Sequence, residues 1–281
     1  MNRFFNEYNH SEESLNERIS TLISSVGQMA DGLDVPNRLL GFVDLTTLEG
    51  ADTVKKVESL SQKAKFSLVD SKYPDAAAVC VYPSLVNPAV KILKGSGIHV
   101  ASVAGGFPSG QTSLRVKLEE VRFALEEGAD EIDTVMSRGK LLEGNETEVF
   151  DELCAIREEC GVKRLKIILE TGELPSPAII RRAAGLAILA GADFIKTSTG
   201  KIPIGATPSA FLVMLDTILE YHHKTGKSVG IKAAGGIRKP EDAMRYARLV
   251  LAVLGDQWLH KDYFRVGASS LADELIKGPR P

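Results

Sequence analysis

Cysteine, histidine and strong net charge are all in short supply here, and each shortage excludes something. The three cysteines, Cys80, Cys154 and Cys160, form neither a disulfide framework nor a metal-ligand spacing, and an odd count in a chain of this class suggests reduced thiols. Cys154 and Cys160 fall in a helix-like stretch as packing residues. The five histidines, His10, His99, His222, His223 and His260, make no HxH or HExxH pattern, so metal-dependent chemistry lacks a ligand set and no metal is expected. Lys and Arg number 34 against 37 Asp and Glu, a net charge of -3, which gives no electrostatic footprint for nucleic acid. No window approaches the ~20 apolar residues that a membrane span needs. The N-terminus lacks the apolar region of a secretory signal, so a cytoplasmic location is the default.

What is present is a long α/β pattern. The 281 residues are 44% hydrophobic and 25% charged, which suits one large domain with an ample core. From Ser11 to about Val26 a cap residue precedes apolar positions spaced three and four apart (Leu15, Ile19, Leu22, Ile23), predicting an amphipathic helix that covers the bottom of the fold or touches a second subunit. Strand candidates follow at 41 to 46, 77 to 82, 98 to 104, 131 to 136, 165 to 170, 193 to 198, 229 to 234 and 263 to 267, each trailed by helix signals. Asn87-Pro88 opens a helix stopping at Gly95, Ser113 one stopping at Gly128, Ser176-Pro177 one leading to Gly191, and Pro240 one leading to Gly255. Eight strands alternating with helices over about 240 residues have the rhythm of a (β/α)8 TIM barrel. That predicts an N-terminal helical extension over 1–38 and a barrel over 39–278. A doubly wound open sheet has a similar rhythm, but no GxGxxG follows the first strand.

Within this pattern, charge recurs where burial is expected. Lys196 stands in Asp193-Phe194-Ile195-Lys196-Thr197-Ser198-Thr199-Gly200-Lys201, an otherwise apolar strand, and Lys232 stands in Val229-Gly230-Ile231-Lys232-Ala233-Ala234-Gly235-Gly236. Burying an ammonium is costly unless it is paired or loses its proton. If both lysines enter one pocket, each disfavours the other's charge, and an amine desolvated beside a cation can be lowered to about 7 to 8, as a nucleophile requires. The two-residue period of a strand also picks out Asp133, Asp44, and Glu170 with Lys166 on one face. Barrel closure would gather Lys196, Lys232, Asp133 and Asp44 at the C-terminal strand ends, around one axis. Gly235-Gly236 and Gly267-Ala268-Ser269-Ser270, followed by a short helical pattern, suit a phosphate site, which Thr199-Gly200-Lys201 could complete. Gly105 to Gly110 reads as a rim or lid loop.

Together DFIKTSTGK, GIKAAGGIR, ADEID, VDLTTL and FRVGASS resemble deoxyribose-phosphate aldolases, a class I aldolase family, from about Leu39 to about Leu271. The stretch Leu254-Gly255-Asp256-Gln257-Trp258-Leu259 resembles its longer-chain branch. The resemblance implies reversible cleavage of 2-deoxy-D-ribose 5-phosphate to D-glyceraldehyde 3-phosphate and acetaldehyde, with Lys196 forming a Schiff base, Lys232 tuning its pKa and Asp133 shuttling protons with water. It implies no cofactor, a small phosphorylated sugar as partner, and is compatible with a homodimer. Asp44 would orient Lys232 through an ion pair. Thr199, Gly200, Lys201, Gly235, Gly236, Gly267, Ser269 and Ser270 would hold the phosphate or neighbouring hydroxyls. Cys80 matches a pocket cysteine, and equally reads as a small core residue. Two departures stand out: no tyrosine follows Ser270, so C-terminal help with proton transfer is not expected, and Met136-Ser137-Arg138-Gly139 replaces a more apolar or asparagine-bearing segment. Two other readings stay open, a different Schiff-base barrel aldolase and a non-catalytic phosphosugar-binding barrel.

Overall fold

The structure, a computed structural model, describes residues 4–277. The expected barrel boundary at 278 lies outside the described residues.

Eight short strands carry β-branched or small residues on one side and mixed charge on the other: β1 Val43–Thr46, β2 Ala78–Val81, β3 His99–Ala104, β4 Glu131–Val135, β5 Arg164–Ile168, β6 Phe194–Lys196, β7 Gly230–Ala234 and β8 Phe264–Ala268. They pair in parallel in chain order, and β8 returns to β1, so the sheet is a closed barrel. Closure rules out the doubly wound alternative and leaves no sheet edge exposed. The outward residues, among them Val79, Val100, Ile132, Leu165, Ile167, Ile195, Ile231 and Val266, are fully or almost fully buried. They meet apolar faces of surrounding helices such as Val121, Leu153, Phe211, Leu215 and Val250 in one continuous core. Each such side chain stabilises the layer by about 1.5–3 kcal/mol.

Helix starts follow local chemistry. Ser11, Ser176 and Thr207 accept hydrogen bonds from the backbone N–H groups of Ser14, Ile179 and Ala210 at 3.2, 3.3 and 3.2 Å, satisfying otherwise orphaned donors. Pro177, Pro208 and Pro240 stand at first helical positions, where no N–H is required. The expected start at Asn87-Pro88 is one residue late: a 3-10 turn, Pro83–Leu85, runs directly into the helix Val86–Leu93. Pro88 therefore lies within the first turn, where its missing N–H costs nothing.

The N-terminal helix Glu12–Ser25 buries Leu15 and Ile19 against the outer helices Pro208–Thr225 and Pro240–Leu254. It flanks the barrel's side, because its apolar stripe fits the seam between those two helices. Arg18 reinforces the contact, donating to Asp216 at 2.9 and 3.1 Å. No helix among the described residues is long and apolar enough to cross a membrane.

Candidate active site

The strand register decides which inward side chains become neighbours. Asp133 is opposite Lys166, Lys196 is opposite Lys232, and Lys232 is opposite Arg265. Side chains on paired positions of a sheet share a face, so these charges converge inside the barrel.

Asp133 is the hub. Its Oδ1 accepts from Lys166 Nζ at 2.6 Å, and its Oδ2 accepts from both Lys196 Nζ and Lys232 Nζ at 2.8 Å. Lys232 also pairs with Asp44 at 2.5 Å, the ion pair expected of Asp44. Asp44 accepts in turn from Arg265 at 2.6 Å, while Arg265 donates to Glu131 at 3.0 Å and Lys166 pairs with Glu131 at 2.5 Å. Lys196 is 2% exposed and the other members are fully buried.

Charge state follows from who has which partner. Burial pushes the Lys196 amine down, Asp133 pulls it up and Lys232 pushes it down again, and it settles below the usual lysine range. Lys232 feels the same burial but faces Asp133 and Asp44 together, which hold it above that range. Lys166, between Asp133 and Glu131, is likewise raised despite burial. Burial raises the Asp133 carboxyl, yet three lysines outweigh it and hold it well below the ordinary carboxylate range. Of the three lysines buried inside the barrel, Lys196 alone is held below the usual lysine range. A neutral amine can still donate a hydrogen bond to Asp133 while keeping its lone pair for an electrophile.

The opposite wall is apolar. Leu48, Ala78, Cys80, Ala101 and Val103 form a small separate cluster backed by Tyr82 and Phe107. Burial, then the nearby Asp133, pushes the Cys80 thiol up, so it remains protonated and poorly nucleophilic. The barrel floor is closed by Phe194, whose ring lies 5.5 Å from the Arg164 and 5.7 Å from the Arg265 guanidinium carbon. A Cβ at Gly230 would stand 2.5 Å from that ring, so glycine is needed there.

Beyond the lysines, the β6 and β7 loops meet in close backbone contact. Gly235, at φ 88°, has Gly205 Cα, Ser198 Cβ and Gly200 Cα within 2.9 to 3.5 Å of where a Cβ would be. Thr199 donates to Glu170 Oε2 at 2.5 Å and its backbone N–H to Oε1 at 3.1 Å, while its own hydroxyl accepts from the Lys201 N–H at 3.0 Å. Lys201 Nζ donates to Glu49 at 2.8 Å, on the segment after β1. Ser269 and Ser270 are exposed at the entrance to the short helix Leu271–Lys277. Gly267 lies within β8, where a Cβ would come 3.1 Å from Lys232 Cε; its smallness makes room for the lysine. Gly236, at φ 83°, has no atom within 4 Å of a Cβ position.

Three features differ from the sequence expectation or were missed by it. Glu170 does not share the inward face with Lys166: β5 ends at Ile168 and Glu170 turns to φ 56°, aiming at Thr199. Glu131 and Arg265 complete the charge cluster; Glu131 stands two residues before Asp133, an inward position already recognised, so the same two-residue period could have found it, whereas no inward position had been recognised on β8 to point to Arg265. Arg138, in the departing Met136-Ser137-Arg138-Gly139 segment, donates to the Pro108 and Ser109 carbonyls at 3.3 and 3.0 Å and bonds Glu173, fastening the 105–110 loop across the rim.

Residues 38–268 match the model of the DeoC/LacD family of aldolases. The chain is 48% identical over 245 residues to the deoxyribose-phosphate aldolase of Mus musculus, covering 83% of this chain and 77% of that protein. To the Homo sapiens deoxyribose-phosphate aldolase it is 46% identical over 245 residues, with the same coverage. Among solved structures, the tetrameric deoxyribose phosphate aldolase from Aeropyrum pernix superimposes with a TM-score of 0.68 at 26% identity, covering 95% of this chain and 97% of that one.

Proposed function

This chain belongs to the DeoC/LacD family of aldolases, and from that premise we propose that it reversibly cleaves 2-deoxy-D-ribose 5-phosphate to D-glyceraldehyde 3-phosphate and acetaldehyde through a Schiff base on Lys196. The observation that carries this reading is the split among three buried lysines around one carboxylate. Lys166 and Lys232 each have two close carboxylates, whereas Lys196 has Asp133 alone and shares it.

In the cleavage direction the Lys196 amine adds to the C1 carbonyl, and the carbinolamine loses water to give an iminium. The C3 hydroxyl gives up its proton as the C2–C3 bond breaks; that electron pair flows into the iminium, leaving an enamine and releasing glyceraldehyde 3-phosphate. Protonation at C2 and hydrolysis then free acetaldehyde and the lysine. The protein supplies an amine free of its proton, a fixed anion 2.8 Å from the nitrogen where positive charge develops, and a sealed site that strengthens that attraction. Asp133, with water, carries protons between the carbinolamine and the substrate hydroxyls. Lys232 is held cationic by Asp44 and Asp133, so it suppresses the charge on Lys196 without competing as a nucleophile. The apolar wall of Ala78, Cys80, Ala101 and Val103 offers a surface to the C2 methylene, which lacks a hydroxyl. Thr199, Gly200, Lys201, Gly235, Gly236, Ser269 and Ser270 hold the phosphate and nearby hydroxyls, with Lys201 as the cation.

A substrate panel tests this. Deoxyribose 5-phosphate should release equimolar aldehyde products, detected by reduced-nicotinamide coupling, while ketose phosphates and keto acids should release none. Cleavage of a ketose phosphate at comparable rate would transfer the reading to another Schiff-base aldolase, and no turnover of any sugar phosphate would favour a binding protein.

A further inference from the structure

Sealed in the barrel are three carboxylates, Asp44 on β1 with Glu131 and Asp133 on β4. Facing them are Lys166 on β5, Lys196 on β6, Lys232 on β7 and Arg265 on β8, all buried. Other titratable groups facing the cluster add little. Cys80 on β2 stays a thiol, as argued above. At the floor Arg164 donates to Glu131 and to Asp262, each at 2.8 Å, so it brings a carboxylate with it and leaves the difference between cations and carboxylates unchanged, and half-exposed His99 on β3 touches Glu131 at 2.7 Å.

With Lys196 protonated, the cluster holds one cation more than its carboxylates can match; with Lys196 a free amine, the charges balance. An unmatched charge in a dry interior is among the costliest things a protein can hold, and arginine cannot relieve it because its guanidinium does not lose its proton. Lysine with the fewest carboxylates does so instead. Arg265 lies against Asp44 and Glu131, Lys166 against Glu131 and Asp133, Lys232 against Asp44 and Asp133; Lys196 has only Asp133.

We propose that Arg265 is a positioning residue for the Lys196 amine, an inference resting on Lys196 being the Schiff-base lysine: its fixed charge makes the buried cluster neutral only while that amine is unprotonated. Arg265 acts at a distance, through Asp44 and Lys232 to Asp133 and then to Lys196, across contacts of 2.6, 2.5, 2.8 and 2.8 Å. Without it, Lys166 and Lys232 match only two of three carboxylates, and Lys196 becomes the group that takes up the missing proton. The same balance serves the bond-breaking step. The iminium carries the cluster's one unmatched positive charge, and electron flow from the C–C bond removes it.

The test is the pH dependence of borohydride trapping by acetaldehyde at Lys196, read by peptide mass spectrometry from about pH 6 to 10. Arg265→Met should move the trapping midpoint up by about one pH unit, as expected for one charge acting at an effective dielectric near 20. Trapping near neutral pH then falls about tenfold and recovers fully at high pH. Arg265→Lys should keep the wild-type midpoint. Glu131→Gln should move it down, and the Arg265→Met/Glu131→Gln double variant should return it towards wild type, a pattern that packing damage alone does not produce. Should Arg265→Met fail to fold, the downward shift of Glu131→Gln supports the proposal and an unshifted midpoint overturns it. An Arg265→Met adduct on Lys196 with the wild-type midpoint overturns the proposal while leaving the Schiff-base assignment intact. Absence of any Lys196 adduct in the wild-type protein across the pH range removes the assignment itself, and the proposal with it.

Discussion

Lys117 and Lys196 are both sealed from solvent, one between the outer helices and one inside the barrel. Lys117, on the helix Leu114–Glu126, donates to Glu152 at 2.7 Å and to Ser137 at 2.6 Å, and Ser137 donates to the same Glu152 oxygen. Among cations Lys117 shares Glu152 only with the part-exposed Lys140, 3.5 Å away, and the group ties two helices to the loop after β4. Lys196 has no carboxylate to itself. Burial is common to both sites, so burial alone does not make a reactive amine; what separates them is whether the local carboxylates can match every buried cation. The first arrangement is structural; the second is the one on which the proposed Schiff-base role of Lys196 rests.

Substitutions at the two lysines should break in opposite ways. Lys196→Leu should lower turnover on the order of 10^4-fold or more, as removal of a covalent nucleophile does, while thermal unfolding stays near wild type, because an apolar side chain replaces an amine whose positive charge the cluster has no need of. Lys117→Met should do the reverse. It leaves Glu152 buried without its main counter-charge and should cost about 3–5 kcal/mol of stability in denaturant unfolding, with turnover per folded molecule unchanged. Equal loss of activity in both variants would erase the distinction.

Acid sharpens the contrast further. Asp133 and Glu131 are held well below the ordinary carboxylate range, and Asp44 below it, by Lys166, Lys232 and Arg265 working against burial. Depressed native values stabilise the fold fully above the unfolded range, near pH 4, and that contribution is lost as pH falls from there through the lower native values. Thermal unfolding should therefore be flat from neutral pH to about pH 5 and decline steeply below pH 4. The smallest effect expected is at the rim. Lys201→Ala should raise KM for the phosphorylated sugar about tenfold, the cost of one charged hydrogen bond, without changing acetaldehyde trapping at Lys196.

Much of this was legible in the sequence because strands alternate with period two. Lys196, Lys232, Asp133 and Asp44 were readable as one inward set, and their registers place them together. The barrel was readable from eight strand and helix alternations, although closure itself is a long-range property that no local pattern contains. The same period failed at Glu170, where the strand ends two residues earlier and the backbone turns left-handed. Glu131 and Arg265 went unrecognised because a charged residue near a strand's start resembles an ordinary solvated end. Closure of the barrel floor by Phe194 buries both of them fully. Gly267 illustrates a different limit: a glycine near a phosphate-like loop and a glycine clearing space for a lysine look alike until the neighbouring strand is placed.

The central claim is that Lys196, alone among the buried lysines, is a free amine near neutral pH. The most direct measurement is borohydride trapping with acetaldehyde at pH 7 followed by peptide mapping of the reduced adduct. Ethylation confined to Lys196, and suppressed by deoxyribose 5-phosphate in favour of a sugar adduct on the same residue, is the result expected. Modification of Lys232 or Lys166, or a scatter over surface lysines with Lys196 untouched, would contradict it.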